Sequence, residues 1–518
     1  MQLQNLPLGI NTLGVLRKNN CVYVDKTELA HQLVRIPGRF FLSRPRRFGK
    51  SLFIDTLKEI FEGNRQLFEG LYIHDKWDWG RKFPVIKIDF AGGVLGSRGE
   101  LEQKIREILT SNADRLGVSL GKNSSTSGIF GDIIAAASRK FQAGAVVLVD
   151  EYDKPILDNI DNPSVAAGMR EGLKNLYSVL KEQDANLQFV FLTGVTKFSK
   201  VSLFSGVNQL TDITIDAQYS SICGYTENDL QASFGGHLLG VDYDAVRRWY
   251  NGYCWTGKEA VYNPYDVLLF IEKGKIFRNY WFETGSPGFL VKLFQANHYF
   301  LPNLEHLEVT EEILESFDIE QINPVTLLFQ SGYLTIERTF TRLHRFMFAL
   351  KIPNMEVRLA LNDQLINAYS GLVNEKSDIQ DRLYRFMEKG DVASMALAVK
   401  SMFAGIPWRN FTNNDLADFE GYYASVLYAF FSSLDARIIP EDITNYGQAD
   451  MTVIVGDHIY VMEIKVVDGL AVKGNPALDQ VIERDYAGKY RGEAGKTVHE
   501  IGFVFSSTRR NLIVADWR

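Results

Sequence analysis

Apolar residues gather in short, near-continuous runs early in the chain and alternate with polar residues near its end, and the contrast predicts two kinds of sheet. Runs at 39–42, 83–90, 145–149 and 187–193, separated by helical segments, predict parallel strands covered on both faces. Such a pattern makes a doubly wound α/β unit of about 220 residues. Alternation at 449–455 and 459–466, joined by Gly456-Asp457-His458, predicts a hairpin. A helix at 418–427 precedes it, a helix at 477–483 follows, and a last strand at 501–505 closes the set. Helix, strands, helix, strand is the order of a second, mixed α/β unit.

The middle of the chain differs from both. Gly224-Tyr225-Thr226-Glu227-Asn228-Asp229-Leu230 reads as a capped helix start, and 249–255 with 262–265 is aromatic and rich in turn residues, an aromatic stripe expected to be core. A helix at 323–330 followed by 331–336 resembles a helix-then-wing unit, and strands at 340–352 and helices to about 405 follow. Segment 121–128 reads as a polar loop ahead of a helix. The expected fold class is therefore α/β: a P-loop parallel-sheet domain at 1–220, a helical lid or winged-helix-like region at 221–340, a strand and helical connector at 341–410 and a restriction-endonuclease-like α/β domain at 411–518.

Composition narrows the class. The chain has 518 residues, 46% apolar and 23% charged, enough for several globular units with ample cores. Its net charge of −7 means that any contact with nucleic acid must come from a local patch. Residues 1–60 are such a patch, with ten Lys or Arg against four acids. The three cysteines are scattered, which argues against a zinc site or a disulfide framework. No apolar run is long enough to span a membrane and residues 1–7 carry no leader pattern, so a cytoplasmic protein is expected, with no membrane partner.

Two constellations carry chemistry. The first strand runs into Arg44-Pro45-Arg46-Arg47-Phe48-Gly49-Lys50-Ser51, and the third ends in Asp150-Glu151. Around a triphosphate these supply Lys50 for the β and γ phosphates, Ser51 and Asp150 for Mg²⁺, and Glu151 to polarise water. Arg46 and Arg47 lie near the phosphates by sequence, and Gly49 opens a helix whose first N–H groups face an anion. The loop departs from the usual pattern in carrying Arg44 where the first glycine belongs, so it must turn by another route, with Pro45 fixing its own φ. Thr193-Gly194-Val195-Thr196-Lys197 ends the fourth strand, where ligands sit in open α/β folds, and Thr193 or Thr196 is a candidate γ-phosphate sensor.

The second constellation is Asp450 at the opening of one hairpin strand and Glu463-x-Lys465 at the close of the other. Residues two apart share a face, so Glu463 and Lys465 project together towards Asp450. Two carboxylates suit Mg²⁺, and a lysine beside them positions or deprotonates water, which are the parts phosphodiester hydrolysis needs. Glu420 on the preceding helix adds a carboxylate, and Gln480 on the following helix adds an amide. Against nucleic acid stands the local charge: residues 411–518 hold ten Lys or Arg and sixteen Asp or Glu.

Tyr23-Val24-Asp25-Lys26-Thr27, the Arg44–Ser51 string, Asp150-Glu151-Tyr152-Asp153-Lys154-Pro155 and Thr193-Gly194-Val195-Thr196-Lys197-Phe198-Ser199 together resemble the bacterial AAA-ATPase-like family. Its members often end in a PD-(D/E)XK nuclease-superfamily domain, to which this C-terminus is similar. The resemblance implies ATP binding at the first constellation and a nuclease-like site at Asp450, Glu463 and Lys465. The leading expectation is an ATPase with a Mg²⁺-dependent nuclease domain whose partners are ATP, DNA or RNA, and further copies of the chain. The alternatives are a nucleotide-dependent switch with a catalytically silent interaction domain, and a winged-helix regulator using the middle region.

Overall fold

The structure is a computed structural model and describes residues 3–120, 125–197, 210–281, 299–305, 307–315, 322–411 and 420–518. Positions 121–124 of the polar loop, Phe198 and Ser199 of the fourth motif, and the first two residues of the helix expected at 418–427 lie outside them. The chain divides into two compact units, Met1–Trp281 with Glu308–Met355, and Phe282–Leu307 with Glu356–Arg518.

The first unit is built on five parallel strands, β1 (Gly38–Ser43), β2 (Val85–Asp89), β3 (Ala145–Asp150), β4 (Leu187–Gly194) and β5 (Thr211–Asp212), in the order β2-β3-β4-β1-β5. Every residue of β3 is buried, which is why its sequence is an unbroken apolar run up to Asp150. Helices Lys50–Glu62, Arg98–Leu116 and Thr126–Phe141 pack against the strands. The order matters for function. It sets β4 between the strand that leads into the phosphate loop and the strand that ends in Asp150, so Ser43, Gly194 and Asp150 lie along one carboxyl edge.

The same unit continues through helices Glu227–Phe234, Tyr243–Tyr250 and Pro264–Glu272 and the short pair β6 (Tyr253–Cys254) and β7 (Ala260–Val261). Thr226 and Asp229 form a capping box on the first of these helices, as the sequence predicts. Leu230, Phe234, Tyr250, Tyr262 and Phe270 make its core. Then come β8 (Leu307–Thr310), helices Glu311–Glu315 and Pro324–Ser331, β9 (Thr335–Arg342) and β10 (Arg345–Lys351) in a sheet ordered β8-β10-β9. Strand, two helices and a hairpin returning to the first strand give this region its winged-helix-like character.

The second unit carries helices Met355–Ser370, Lys376–Glu388, Val392–Gly405 and Glu420–Phe431, then a sheet of β11 (Arg437–Thr444), β12 (Gly447–Val455), β13 (His458–Val467), β14 (Thr497–Ser506) and β15 (Asn511–Trp517) in sequential order. β13 and β14 are parallel and the other neighbours antiparallel. Helix Pro476–Glu483 forms part of the crossover between β13 and β14 and packs on both. Asn475 caps that helix through Ala477 N and Leu478 N (3.1 and 3.0 Å) and donates to Gly502 O (2.9 Å); a side chain at Gly502 would collide with this cap. The strand expected at 501–505 is longer, Thr497–Ser506, and a further strand, β15, pairs beside it. Among the described residues no helix is long and apolar enough to cross a membrane.

Candidate functional site

The phosphate loop leaves β1 at Ser43 and enters its helix at Lys50. Gly49 adopts φ 89° as the residue before the helix, and a Cβ there would meet nothing within 4 Å, so the side of the loop it faces is open. A second left-handed residue, Arg47 (φ 68°), supplies the turn that the missing glycine leaves unmade. Arg44 is fully buried and acts as a strut. Its guanidinium donates to Thr214 O (2.7 Å), Ser43 O (2.9 Å) and Tyr219 O (3.3 Å) and lies 4.4 Å over the Trp255 ring. Burial brings its pKa down to about 10.

Aromatic residues of the middle region complete the loop's surroundings. Phe48 packs edge-on against Tyr253 (4.8 Å) and Trp255 (5.9 Å), and Arg47 sits 3.8 Å over Tyr265. The aromatic stripe is thus core, as expected, and part of that core grips the phosphate loop. Arg46 is exposed and Ser51 partly buried. Lys50 is nearly buried, with its amine donating to Arg44 O and Pro45 O (2.9 and 2.8 Å), and burial lowers its pKa.

Asp150 is buried at the end of β3 and accepts from Thr193 Oγ1 (2.8 Å) and Glu151 N (3.0 Å). Glu151 holds φ 51°, and burial together with the Asp150 charge raises its pKa. Asp153, to which the sequence alone assigns no role, accepts from Thr196 N (2.6 Å), Thr196 Oγ1 (2.7 Å) and Val195 N (3.0 Å). The hydroxyls of Thr193 and Thr196 are therefore engaged by Asp150 and Asp153. The signal for Asp153 was there: a second buried acid inside an Asp-Glu-Tyr-Asp string needs donors, and the neighbouring strand end offers two hydroxyls.

These parts fit a nucleotide and its Mg²⁺. The side of the loop that Gly49 faces is open, the helix behind it runs thirteen residues from Lys50, and a buried carboxylate and a hydroxyl stand at the strand and helix ends.

In the second unit, β12 pairs with β13 from Met451↔Met462 to Val455↔His458, with Gly456-Asp457 as the turn. Asp450 lies one step beyond that ladder, and its Oδ2 accepts Ile464 N at 2.7 Å. On the other side, β11 and β12 pair at Pro440↔Met451 and Asp442↔Ala449 but not between, where Glu441 takes φ 46° opposite Asp450. A local irregularity of this kind re-aims side chains, and no sequence signal marked it.

Glu463 is 1% exposed. Its Oε1 accepts from Lys465 Nζ (3.0 Å) and from Gln480 Nε2, while Oε2 is buried without a hydrogen-bond partner. Lys465 also faces Glu420 at 3.8 Å. The structure thus brings Glu420, Glu463, Lys465 and Gln480 into contact, with Asp450 close enough to act on Glu463 electrostatically. Burial, then the Asp450 charge, pushes Glu463 up to about 7, and burial pushes Asp450 up to about 6. Burial works against the charge of Lys465, but the hydrogen bond to Glu463 and the nearby carboxylates outweigh it and keep its pKa raised.

Among the described residues no three His, Cys, Asp or Glu side chains form a ready-made metal cluster. Two crowded carboxylates with an orphaned buried oxygen nevertheless fit a Mg²⁺ site, because Mg²⁺ takes one or two protein carboxylates and completes its shell with water and phosphate.

A parallel-sheet unit with a phosphate loop, joined to a unit with an Asp…Glu-x-Lys sheet edge, defines the class: an AAA-ATPase-like protein with a PD-(D/E)XK domain. Residues 7–204 match the family described as "Predicted AAA-ATPase", and residues 418–515 match the "PD-(D/E)XK nuclease superfamily". An "Uncharacterized protein in vnfD 5'region" from Azotobacter chroococcum mcd 1 is 45% identical over 514 residues, covering 99% of this chain and 98% of that protein. The chain belongs to this family of AAA-ATPase-like proteins with a C-terminal PD-(D/E)XK nuclease-superfamily domain. Among solved structures, the Aeropyrum pernix ORC1 protein in complex with DNA matches 65% of this chain and 91% of its own at 12% identity and a TM-score of 0.27, a likeness too slight to bear on fold or function.

Proposed function

We propose that residues 1–220 bind ATP with Mg²⁺ and hydrolyse it, and that residues 411–518 form a metal-dependent nuclease site whose use is linked to nucleotide state. In this reading Gly49, Lys50, Ser51, Arg46 and Arg47 hold the phosphates, Asp150 stands behind the metal, and Glu151 takes the proton from water. Thr193 and Thr196 act through the carboxylates they support.

At the second site Asp450, Glu463 and Glu420 hold the cation, which when bound supplies charge to polarise a phosphate and lower the pKa of water. Lys465, charged in this setting, orients the attacking water against Glu463, and Gln480 fixes the Glu463 carboxylate. Hydrolysis forms a bond from the water oxygen to phosphorus and breaks a phosphorus–ester oxygen bond, whose oxygen leaves with a proton. The observation that carries this reading is the buried Glu463 carboxylate beside Lys465, with one of its oxygens unpaired and the half-buried Asp450 close by. Mn²⁺ binding and cleavage of labelled DNA and RNA, both lost in Glu463→Gln, test it.

A switch with a silent C-terminal domain is the second reading, favoured by the engagement of the Lys50 amine with two carbonyls. ATP-dependent change of oligomeric state with no cleavage in Mg²⁺ or Mn²⁺ would select it.

A further inference from the structure

Residues 335–351 carry Arg338, Arg342, Arg345 and Lys351 against one acid, Glu337, in a chain of net charge −7. They make the β9–β10 hairpin, the wing of the winged-helix-like region. Its tip is exposed: Leu343 at 88% and Phe346 at 49%, with Arg338 and Arg342 side chains at 59% and 58%. Arg342 and Arg345 are direct cross-strand partners beside the turn, an arrangement that costs stability because like charges face each other. Arg338 and Arg342 flank the Phe340 ring at 4.8 and 5.2 Å, which spreads their guanidinium groups along one strand. Glu308 on β8 is the ion-pair partner of both, one carboxylate for two cations, and among the described residues Arg345 has none.

The helix that would read a groove in a winged helix does something else here. Val325, Thr326, Leu327, Leu328, Phe329 and Gln330 of Pro324–Ser331 are all buried. Phe329 packs on Trp255 (6.1 Å), Gln330 Oε1 accepts Lys197 N (3.0 Å), and Gly332 lies so close to Pro45 that a Cβ would meet it at 2.9 Å. The helix is spent on the phosphate loop's own surroundings, which leaves the hairpin as the outward element. Edge strands often carry charge to prevent strand pairing, but isolated lysines serve that end without a repulsive pair at the tip.

We propose that the β9–β10 hairpin is a sequence-independent contact for the phosphodiester backbone of a nucleic-acid duplex, with Arg338, Arg342 and Arg345 as phosphate ligands. The proposal shares with the proposed function only that the partner is nucleic acid, and it needs neither ATP turnover nor cleavage. Phosphate contacts made by the full chain register as salt dependence. The test is fluorescence anisotropy of labelled duplex DNA and, separately, duplex RNA, across a salt series in EDTA so that no metal-dependent cleavage intervenes.

Combined Arg338→Ala, Arg342→Ala and Arg345→Ala is expected to weaken binding roughly tenfold or more and to lower the log–log salt slope by about 2 to 3. The three lysine replacements should restore both, and Arg385→Ala, an exposed cation on helix Lys376–Glu388 of the second unit, should bind as the wild type does. The two duplex arms tell which nucleic acid is preferred. Wild-type affinity and slope in the triple alanine variant, or no duplex binding by the wild type, would overturn the assignment. So would binding that falls in Arg385→Ala and not in the triple variant, as expected if the contact belongs to the second unit.

Discussion

Lys50 directs its amine at the carbonyl oxygen of Arg44, 2.9 Å away, so the loop lysine and the residue standing in place of the first loop glycine secure each other. Arg44 in turn hangs on Thr214 O, Tyr219 O and the Trp255 ring. Restoring the common pattern with Arg44→Gly should therefore harm the protein. The variant leaves buried carbonyls without donors and a void over Trp255, and we expect the first unit to lose about 3 kcal/mol or more. Urea unfolding followed by tryptophan fluorescence measures it; a variant as stable as the wild type would show that Arg44 is no strut.

The Thr196 hydroxyl is spent on Asp153 in a fully buried setting. Thr196→Val should cost roughly 1 to 2 kcal/mol of stability through the lost hydrogen bond. ATP affinity, read by calorimetry, should stay within about twofold. A tenfold loss of affinity at unchanged stability would instead make Thr196 a direct phosphate ligand.

Asp450 and Glu463 have native pKa values of about 6 and about 7, above their ordinary values near 4. Between those limits the native second unit holds protons that the unfolded chain has released, so without metal its stability falls as pH rises from about 4 to about 7. Glu463→Gln removes one of the two charges and should flatten that fall, gaining on the order of 1 kcal/mol over the wild type at pH 8 relative to pH 5. Chemical unfolding at the two pH values decides; a wild-type slope in the variant would mean that the pair is not strained.

Cation binding must compete with the same protons. Mn²⁺ affinity at the second site is expected to rise severalfold from pH 6 to pH 8 and to release protons, seen as buffer-dependent heats in calorimetry. Glu463→Gln should abolish the heats. Affinity independent of pH would place the cation elsewhere.

How much of this was legible beforehand depended on whether the cause was local. The four apolar runs became β1 to β4, and the alternation around Gly456-Asp457 became β12 and β13, because burial on one or both faces writes itself into consecutive residues. Glu463, Lys465 and Gln480 were readable because a two-residue period and a following helix bring them together. Arg44 was not, since its strut role depends on Trp255 and Thr214, each far along the chain. Likewise nothing local distinguishes the buried helix Pro324–Ser331 from a groove-reading helix, or marks the interrupted pairing at Glu441. β5 is too short to leave a pattern, and the alternation of β15 is too weak to mark it.

The most direct test of the account is cleavage of labelled single- and double-stranded DNA and RNA by purified protein in Mg²⁺ or Mn²⁺, with and without ATP, set beside ATP binding, for the wild type, Lys50→Ala and Lys465→Ala. The account predicts metal-dependent cleavage that falls at least a hundredfold in Lys465→Ala while ATP binding persists, and ATP binding lost in Lys50→Ala, on the order of 3 kcal/mol in each case. Cleavage undiminished in Lys465→Ala, or none in any condition while ATP still binds, would contradict it.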